Sequence, residues 1–301
     1  MKRLILLIVT PAFAAAAILA LLDRSAGEPV SQPANGAATQ PASRPATLPA
    51  RKTIDVGTLE QLVEAIGPDR IIRLAAGAYD IGKAKPMAGK HARLAIRKPA
   101  GIELVISDVR NLRIEGAGPA KVQLLTGNRL ATVLTLNDFA DAELVNLVIG
   151  HMPVAQGGDA SAVLIQRAKN VRFENCELFG GTVGLEVIGA ESLTFVESTI
   201  DHCSDGIVSL RDCSEVLFED STFHDNYTSF GFAIESCRNV RMQDCSIVGN
   251  TVTDRALFSL CAQSRVEVTD SQIRGAYRSL QSGGVIFQRC VIAGQFGPVR
   301  P

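Results

Sequence analysis

One eight-residue pattern, apolar-x-apolar-x-x-Cys/Ser-x-apolar, is written six times between Val171 and Ile292. The copies are Val171-Phe173-Cys176-Leu178, Leu193-Phe195-Ser198-Ile200, Val216-Phe218-Ser221-Phe223, Val240-Met242-Cys245-Ile247, Val266-Val268-Ser271-Ile273 and Val285-Phe287-Cys290-Ile292. Each follows a shorter pattern: Val163-Ile165-Ala168, Leu185-Val187-Ala190, Val208-Leu210-Cys213, Phe232-Ile234-Cys237, Ala256-Phe258-Cys261 and, degraded, Tyr277-Ser279-Ser282. Successive copies start 22, 23, 24, 26 and 19 residues apart, a repeat length that belongs to solenoids. Polar residues such as Arg172, Thr194, Arg241 and Glu267 alternate with the apolar ones, as a strand with one solvated face requires. The step of three from Phe173 to Cys176 reverses the parity. A bend there keeps both flanking side chains pointing inward.

The pattern predicts an all-β, single-stranded right-handed parallel β-helix, whose coils stack about 4.8 Å apart. One coil cannot bury its own inward face, so its neighbours must supply the core. An antiparallel sandwich would need hairpin turns of the Asn-Gly or Asp-Gly type between strands. The only Asp-Gly, Asp205-Gly206, falls in a connection whose length varies from coil to coil. Upstream, Ile72-Leu74-Gly77-Tyr79, Leu112-Ile114-Ala117 and Ala142-Leu144-Leu147-Ile149 extend the series. Starts at 72, 112, 142, 171, 193, 216, 240, 266 and 285 give nine short coils in one domain, residues 53–301.

Before that domain, Lys2 and Arg3 precede an apolar run from Leu4 to Leu22, and Ser25-Ala26-Gly27 offers a small-x-small cleavage site. Residues 1–27 therefore read as a signal peptide or, if uncut, a membrane anchor, since the run approaches the length of a bilayer span. Residues 28–52, rich in Pro and Ala, read as a disordered linker. The domain is expected outside the cytoplasm, with membrane contact only through that first segment. A net charge of −1 gives no overall pull towards nucleic acid.

Thr58 to Ile66 reads as a short amphipathic helix, with Thr58 as N-cap, Leu59, Leu62, Val63 and Ile66 on one face, and Gly67-Pro68 as the stop. Together with Ile71-Ile72-Arg73-Leu74 and Tyr79 it resembles the capping helix and first strand of the pectate-lyase-like β-helix superfamily. The resemblance implies that the helix closes the open end of the first coil. Residues 70–113 hold ten Lys or Arg against three Asp or Glu. They read either as a solvated loop or as a basic insertion that meets an acidic polysaccharide. The seven cysteines fall mostly at inward positions and read as small buried fillers. Cys213, Cys237 and Cys261 form one expected column, in which parallel side chains are poorly aimed for disulfides.

Length variation concentrates in the connection that follows each eight-residue copy, and insertions on one face of a solenoid mark its binding face. Three of the four histidines, His151, His202 and His224, fall there. So do Asp159, Asp201, Asp205, Asp225, Asn226, Tyr227, Asn250, Asp254, Arg255, Arg274 and Tyr277. Asp201-His202 and His224-Asp225 follow equivalent positions of successive coils, so stacking brings the two pairs side by side. Glu186 and Glu235 are weaker candidates for the same face.

Ile200-Asp201-His202-Cys203 with Asp205-Gly206 resembles the Asp-His-Cys … Asp-Gly segment of pectate lyases, whose aspartates hold calcium. That likeness implies Asp201 and Asp205 as calcium ligands, and Asp225, stacked beside them, would add a third hard oxygen donor. The chain has no Pro-Arg-x-Arg-x-Gly segment with that family's catalytic arginine. The catalytic set expected on this face is Asp201, His202, Asp205, His224, Asp225 and Arg255, with Arg255 as cation or base. The substrate would be an acidic polysaccharide, cleaved as by a lyase or a glycoside hydrolase. The alternative is a non-catalytic scaffold or surface protein, because Asp, Asn, His and Gly are also ordinary turn residues. Without Trp, a platform that stacks sugars is less favoured than a site built on charge.

Overall fold

The computed structural model describes residues 5–8 (as backbone), 48–97, 101–152, 160–261 and 263–297. The predicted signal or anchor, apart from 5–8, and the linker up to residue 47 lie outside the described residues, as does Asp159. The repeat region is the expected right-handed parallel β-helix. Three parallel sheets run along it, and each coil adds one strand or half-strand to each.

The second sheet follows the eight-residue pattern without a slip. Val171 pairs with Leu193, Leu193 with Val216, Val216 with Val240, Val240 with Val266 and Val266 with Val285. Upstream, Leu112 stacks on Ala142 and Ala142 on Val171, but the first expected start is out by two: Ile72 stacks on Ile114 and Arg70 on Leu112, a shift that leaves parity unchanged. One further rung precedes them: Lys52–Val56 pairs with Arg70–Leu74, setting Ile54 beside Ile72. At the parity reversal the chain turns through left-handed residues, Asn146, Asn175, Glu197, Asp220, Asp244, Asp270 and Arg289, all with φ between 47° and 57°. The residue after each bend is buried, and side chains of the next coil take up the N–H of Cys176, Ser198 and Cys245. Cys176 N–H donates to Ser198 Oγ at 2.9 Å and Cys245 N–H to Ser271 Oγ at 3.0 Å.

The first sheet departs from the sequence reading in its last two coils, and in the second of them Tyr277 pairs with Val252 and Gln281 with Phe258. Phe258, not Ala256, stacks on Phe232, and Leu260 stacks on Ile234. Both Ala256-x-Phe258 and Phe258-x-Leu260 satisfy the alternation, and a shift of two leaves parity unchanged. The extension also moves Cys261 out of its expected column. Ser264 takes that place, accepting the N–H of Cys237 at 3.1 Å, while Cys261 is half-buried and accepts the N–H of Ser236 at 3.1 Å. All seven cysteines are free thiols.

Inside, phenylalanines stack from coil to coil. Phe173, Phe195 and Phe218 follow one another at 5.8 and 5.9 Å between ring centroids, and Phe223 meets Phe232 edge-on at 5.0 Å. At the first end the helix Leu59–Ala65 buries Leu59, Leu62, Val63 and Ala65. The Thr58 side chain accepts the N–H of Gln61, one of the unpaired donors of the helix start, and Gln61 Oε1 reaches back to accept the N–H of Gly57 at 2.7 Å, just ahead of the cap.

Part of the basic stretch does a second capping job. Strand Ala92–Ile96 runs antiparallel to the start of Ile102–Gly116, placing Ala92 opposite Ile106 and Leu94 opposite Leu104. Ala92 and Leu94 are buried, while Arg93 faces water. The stretch is thus neither a plain solvated loop nor a free basic arm. It covers an edge that would otherwise show unpaired strand groups. At the other end, the backbone of Ile5–Ile8 pairs antiparallel with the last strand, Ile5 opposite Gly294 and Ile8 opposite Val291.

Phe223 is fully buried and touches rings from three coils. Phe223→Ala is expected to lower stability by about 3–5 kcal/mol, and Thr58→Ala by about 1 kcal/mol. Urea unfolding of the two variants against wild type measures both.

Candidate functional site on the variable-turn face

The connections from the third sheet back to the first begin at left-handed residues in equivalent places: Gly180 (φ 66°), His202 (φ 54°), Asp225 (φ 52°) and Gly249 (φ 68°). Their backbone geometry favours glycine, and Asp tolerates it; a histidine there costs about 1–2 kcal/mol. Just before them, Phe179, Asp201, His224, Val248 and Arg274 form one row across the third sheet. The predicted pairing of the two Asp-His couples is therefore present. Asp201 lies directly beside His224, one rung apart.

Asp201 is 7% exposed. Its Oδ2 accepts a hydrogen bond from His202 Nδ1, and its Oδ1 is buried with no partner among the described residues. The His202 ring itself is about half in solvent. With Nδ1 donating to the carboxylate, the neutral imidazole offers Nε2 outward as a proton acceptor. One coil later His224 Nδ1 bonds Asp225 Oδ2 at 2.9 Å, and here the carboxylate is the exposed partner.

Asp205 and Arg255 stand at the other end of these connections, where the chain enters the first sheet. Asp205 N–H donates to Thr182 O at 2.9 Å, and Asp205 O accepts from Phe230 N–H at 3.0 Å. Phe230 lies flat against Gly206, where a Cβ would come within 2.0 Å of the ring. The Arg255 guanidinium sits over that ring, 5.9 Å from its centre, and makes no ion pair among the described residues. The predicted set is thus split between the two ends of the turn, with Asp201, His202, His224 and Asp225 together and Asp205 with Arg255 apart.

Other residues expected on the face are inside. Asn226 and Asn250, each 1% exposed, form a ladder through the turn. Asn226 Oδ1 accepts from Cys203 N–H at 2.9 Å, and Asn250 Oδ1 accepts from Asn226 N–H at 3.1 Å. Asn250 Nδ2 in turn donates to Phe223 O at 2.7 Å. Tyr277 is fully buried and pairs with Val252, and burial pushes its phenol up. His151 is 1% exposed, with Nε2 bonded to Ala131 O at 3.0 Å. Tyr227, Asp254 and Arg274 are exposed. Glu186 accepts from Ser161 Oγ at 2.7 Å, and Glu235 is tied to Arg211 at 3.2 Å. The asparagine ladder was visible in the chain, because positions 226 and 250 are one repeat apart. What the pattern lacked was the parity of the turn, which points Asn226 inward and Tyr227 out.

Calcium does not fit the residues implied for it. Asp201 and Asp225 each give an oxygen to a histidine, and Asp205 lies at the far end of the turn. Among the described residues, no group of three or more His, Cys, Asp or Glu stands close enough to hold an ion.

The thiols divide by environment. Burial pushes Cys176 up to about 11 and Cys245 up to about 12, which leaves them inert fillers. Cys261 is held down at about 7, chiefly by the Ser236 N–H and the Ser264 hydroxyl. The sulfur of Cys237 beside it holds Cys213 below the usual thiol range, while Cys213 pushes Cys237 up.

Residues 132–295, more than half of the chain, match the family model described as "Right handed beta helix region". The chain belongs to this right-handed β-helix family. The protein resembles several solved members of the wider fold. A pectate lyase shares 12% identity at a TM-score of 0.50, with 79% of this chain and 68% of that chain covered. A rhamnogalacturonan lyase shares 15% identity at 0.49, covering 77% and 67%. A pectin methylesterase from Erwinia chrysanthemi shares 11% at 0.48, covering 79% and 81%. At such identities the likeness is one of fold. No curated protein matches the chain. No helix among the described residues is long and apolar enough to cross a membrane.

Burial holds the His151 imidazole below its ordinary value of 6.5. The unfolded chain therefore takes up a proton that the fold resists, and the stability from this residue is present above pH 6.5 and lost as pH falls below it. His151→Gln, which keeps a donor for Ala131 O, is expected to make the loss of melting temperature between about pH 6.5 and 5 shallower. Thermal melts of both proteins across that range test it.

Proposed function

We propose that this β-helix acts on an acidic polysaccharide along the outer face of its third sheet, with His202 as the proton acceptor. The observation that carries the reading is the buried Asp201 carboxylate orienting an exposed imidazole. His202 occupies a left-handed position that glycine fills in the coil on one side and again two coils on the other, so its side chain is kept at a cost to the turn. A carboxylate that orients a histidine fixes its tautomer and supports the imidazolium once the proton arrives.

Of the two chemistries expected, lyase-type proton abstraction has the better support. A glycoside hydrolase needs two carboxyl groups facing the sugar as acid and base. Here Asp201 and Asp225 are each bonded to a histidine. In an elimination, His202 Nε2 takes the proton next to the uronate carboxylate, and the bond to the leaving sugar oxygen breaks as the double bond forms. His224, on the next rung, stands where a donor to the carboxylate or to the leaving oxygen is useful. Arg255, stacked over Phe230 at the other end of the turn, serves in this reading to hold the polymer there. The reading takes the domain as exported, on the strength of the N-terminal apolar run.

A non-catalytic scaffold remains the second reading, favoured by one observation. The predicted residues are distributed along an outer edge, and Arg255 does not converge on the Asp-His pairs. His202→Gly separates the two, because it removes the imidazole while relieving the left-handed backbone. Under the proposal the variant keeps or raises the wild-type melting temperature. Formation of unsaturated product from polygalacturonate, pectin or alginate, followed by ultraviolet absorbance, falls about 10²–10⁴-fold. Product formation unchanged in the variant rejects His202 as the proton acceptor, and no product with no polymer-induced thermal shift in wild type gives the scaffold reading.

A further inference from the structure

At the corner between the first and second sheets, Cys213 and Cys237 occupy the same place in successive coils, each just after a left-handed residue, Asp212 and Ser236. The N–H of Cys213 donates to the sulfur of Cys237 at 3.4 Å. Elsewhere among the described residues a corner cysteine is followed by an oxygen-bearing side chain: Cys176 by Ser198, Cys245 by Ser271, Cys203 by Asn226, and Cys237 itself by Ser264. Sulfur follows sulfur only here.

Side chains stacked in this way point in parallel and stand about one strand spacing apart, roughly 4.8 Å. That is far beyond a sulfur–sulfur bond of about 2.05 Å. It is, however, close to twice a metal–thiolate bond of about 2.3 Å. One ion held between two sulfurs in line matches the spacing that a disulfide does not. Cys213 and Cys237 are 2% and 1% exposed, and their corner borders a surface groove of about 420 Å³ lined also by Asp212, Ser236, Arg238 and Gln263. Arg238 has no ion pair among the described residues. Its guanidinium is available to balance the single negative charge left when two thiolates hold one monovalent cation.

We propose that Cys213 and Cys237 form a two-coordinate site for a soft monovalent cation of the cuprous type. Thiolate pairs select such ions over hard ones, and the absence of a third close ligand among the described residues disfavours tetrahedral zinc. On binding, each S–H bond breaks with its proton passing to solvent, two sulfur–metal bonds form, and no electron is transferred. The site is independent of the polysaccharide reading, since the groove that serves it lies on a different face from His202.

The test uses the reduced full chain and cuprous ion supplied anaerobically as its acetonitrile complex, in competition with a coloured cuprous chelator. Wild type is expected to bind one equivalent beyond the chelator's hold. Cys213→Ser and Cys237→Ser should each weaken binding at least about 100-fold, and Cys245→Ser should leave it unchanged. Serine occupies the equivalent corner at Ser264, so the variants keep a side chain that accepts the neighbouring N–H. X-ray absorption at the copper edge of loaded wild type gives a readout that needs no variant, and two sulfur neighbours are expected. No binding by wild type, binding that survives Cys213→Ser, loss on Cys261→Ser alone, or a coordination shell of three or more ligands would each overturn the proposal.

Discussion

The structure depends on one constraint: the inward face of a coil can be buried only by the coils on either side. No single turn of this chain holds a core of its own. The phenylalanine file from Phe173 to Phe258, the aliphatic positions beside it and the register of the second sheet are all expressions of stacking. Because burial is shared between neighbours, the ends are the weak points. The first end carries two devices, the capped helix Leu59–Ala65 and the antiparallel strand Ala92–Ile96. Both convert sequence that looks peripheral, a short helix and a basic insertion, into closure of exposed strand edges.

Stacking also dictates what the corners can be. Each bend turns on a left-handed residue, and the N–H just beyond it needs an acceptor that the coil's own backbone does not supply. Side chains of the next coil provide it: Ser198, Ser271, Asn226, Asn250, Ser264 and, in one place, the sulfur of Cys237. These ladders satisfy buried donors without water, which is what a solenoid interior demands. They also set the background against which His202 stands out. Its neighbours at the same backbone position are Gly180 and Asp225, residues suited to the turn, whereas the His202 imidazole is bonded to Asp201 and about half in solvent.

Much of the fold was readable before any coordinates. Strand parity, the bend after each second apolar residue and the coil starts from Leu112 to Val285 all follow from side chains alternating in and out. The misreadings have a common cause. Alternation fixes which face a residue belongs to but not which partner it meets, so it does not separate Ala256 from Phe258 or Arg70 from Ile72, and the first of these shifts displaces Cys261 from its column. The site suffered in a related way. Asn226, Asn250, Tyr277 and His151 share with Asp201 a place after the third strand, yet in an irregular turn no period says which side chains return to the core.

By itself, the sequence determined the period of two, the repeat of about two dozen residues, the helix at the first end and the pairing of Asp201-His202 with His224-Asp225 on adjacent rungs. These are local consequences of covalent geometry and alternation, which each segment carries wherever it goes. Only the tertiary structure decided that Asp201 is buried while His202 is exposed, that Asp205 and Arg255 belong to the opposite end of the turn, and that Cys213 meets Cys237 but not Cys261. Those outcomes depend on distances between coils and on the paths of turns of unequal length, and neither is encoded in any one repeat.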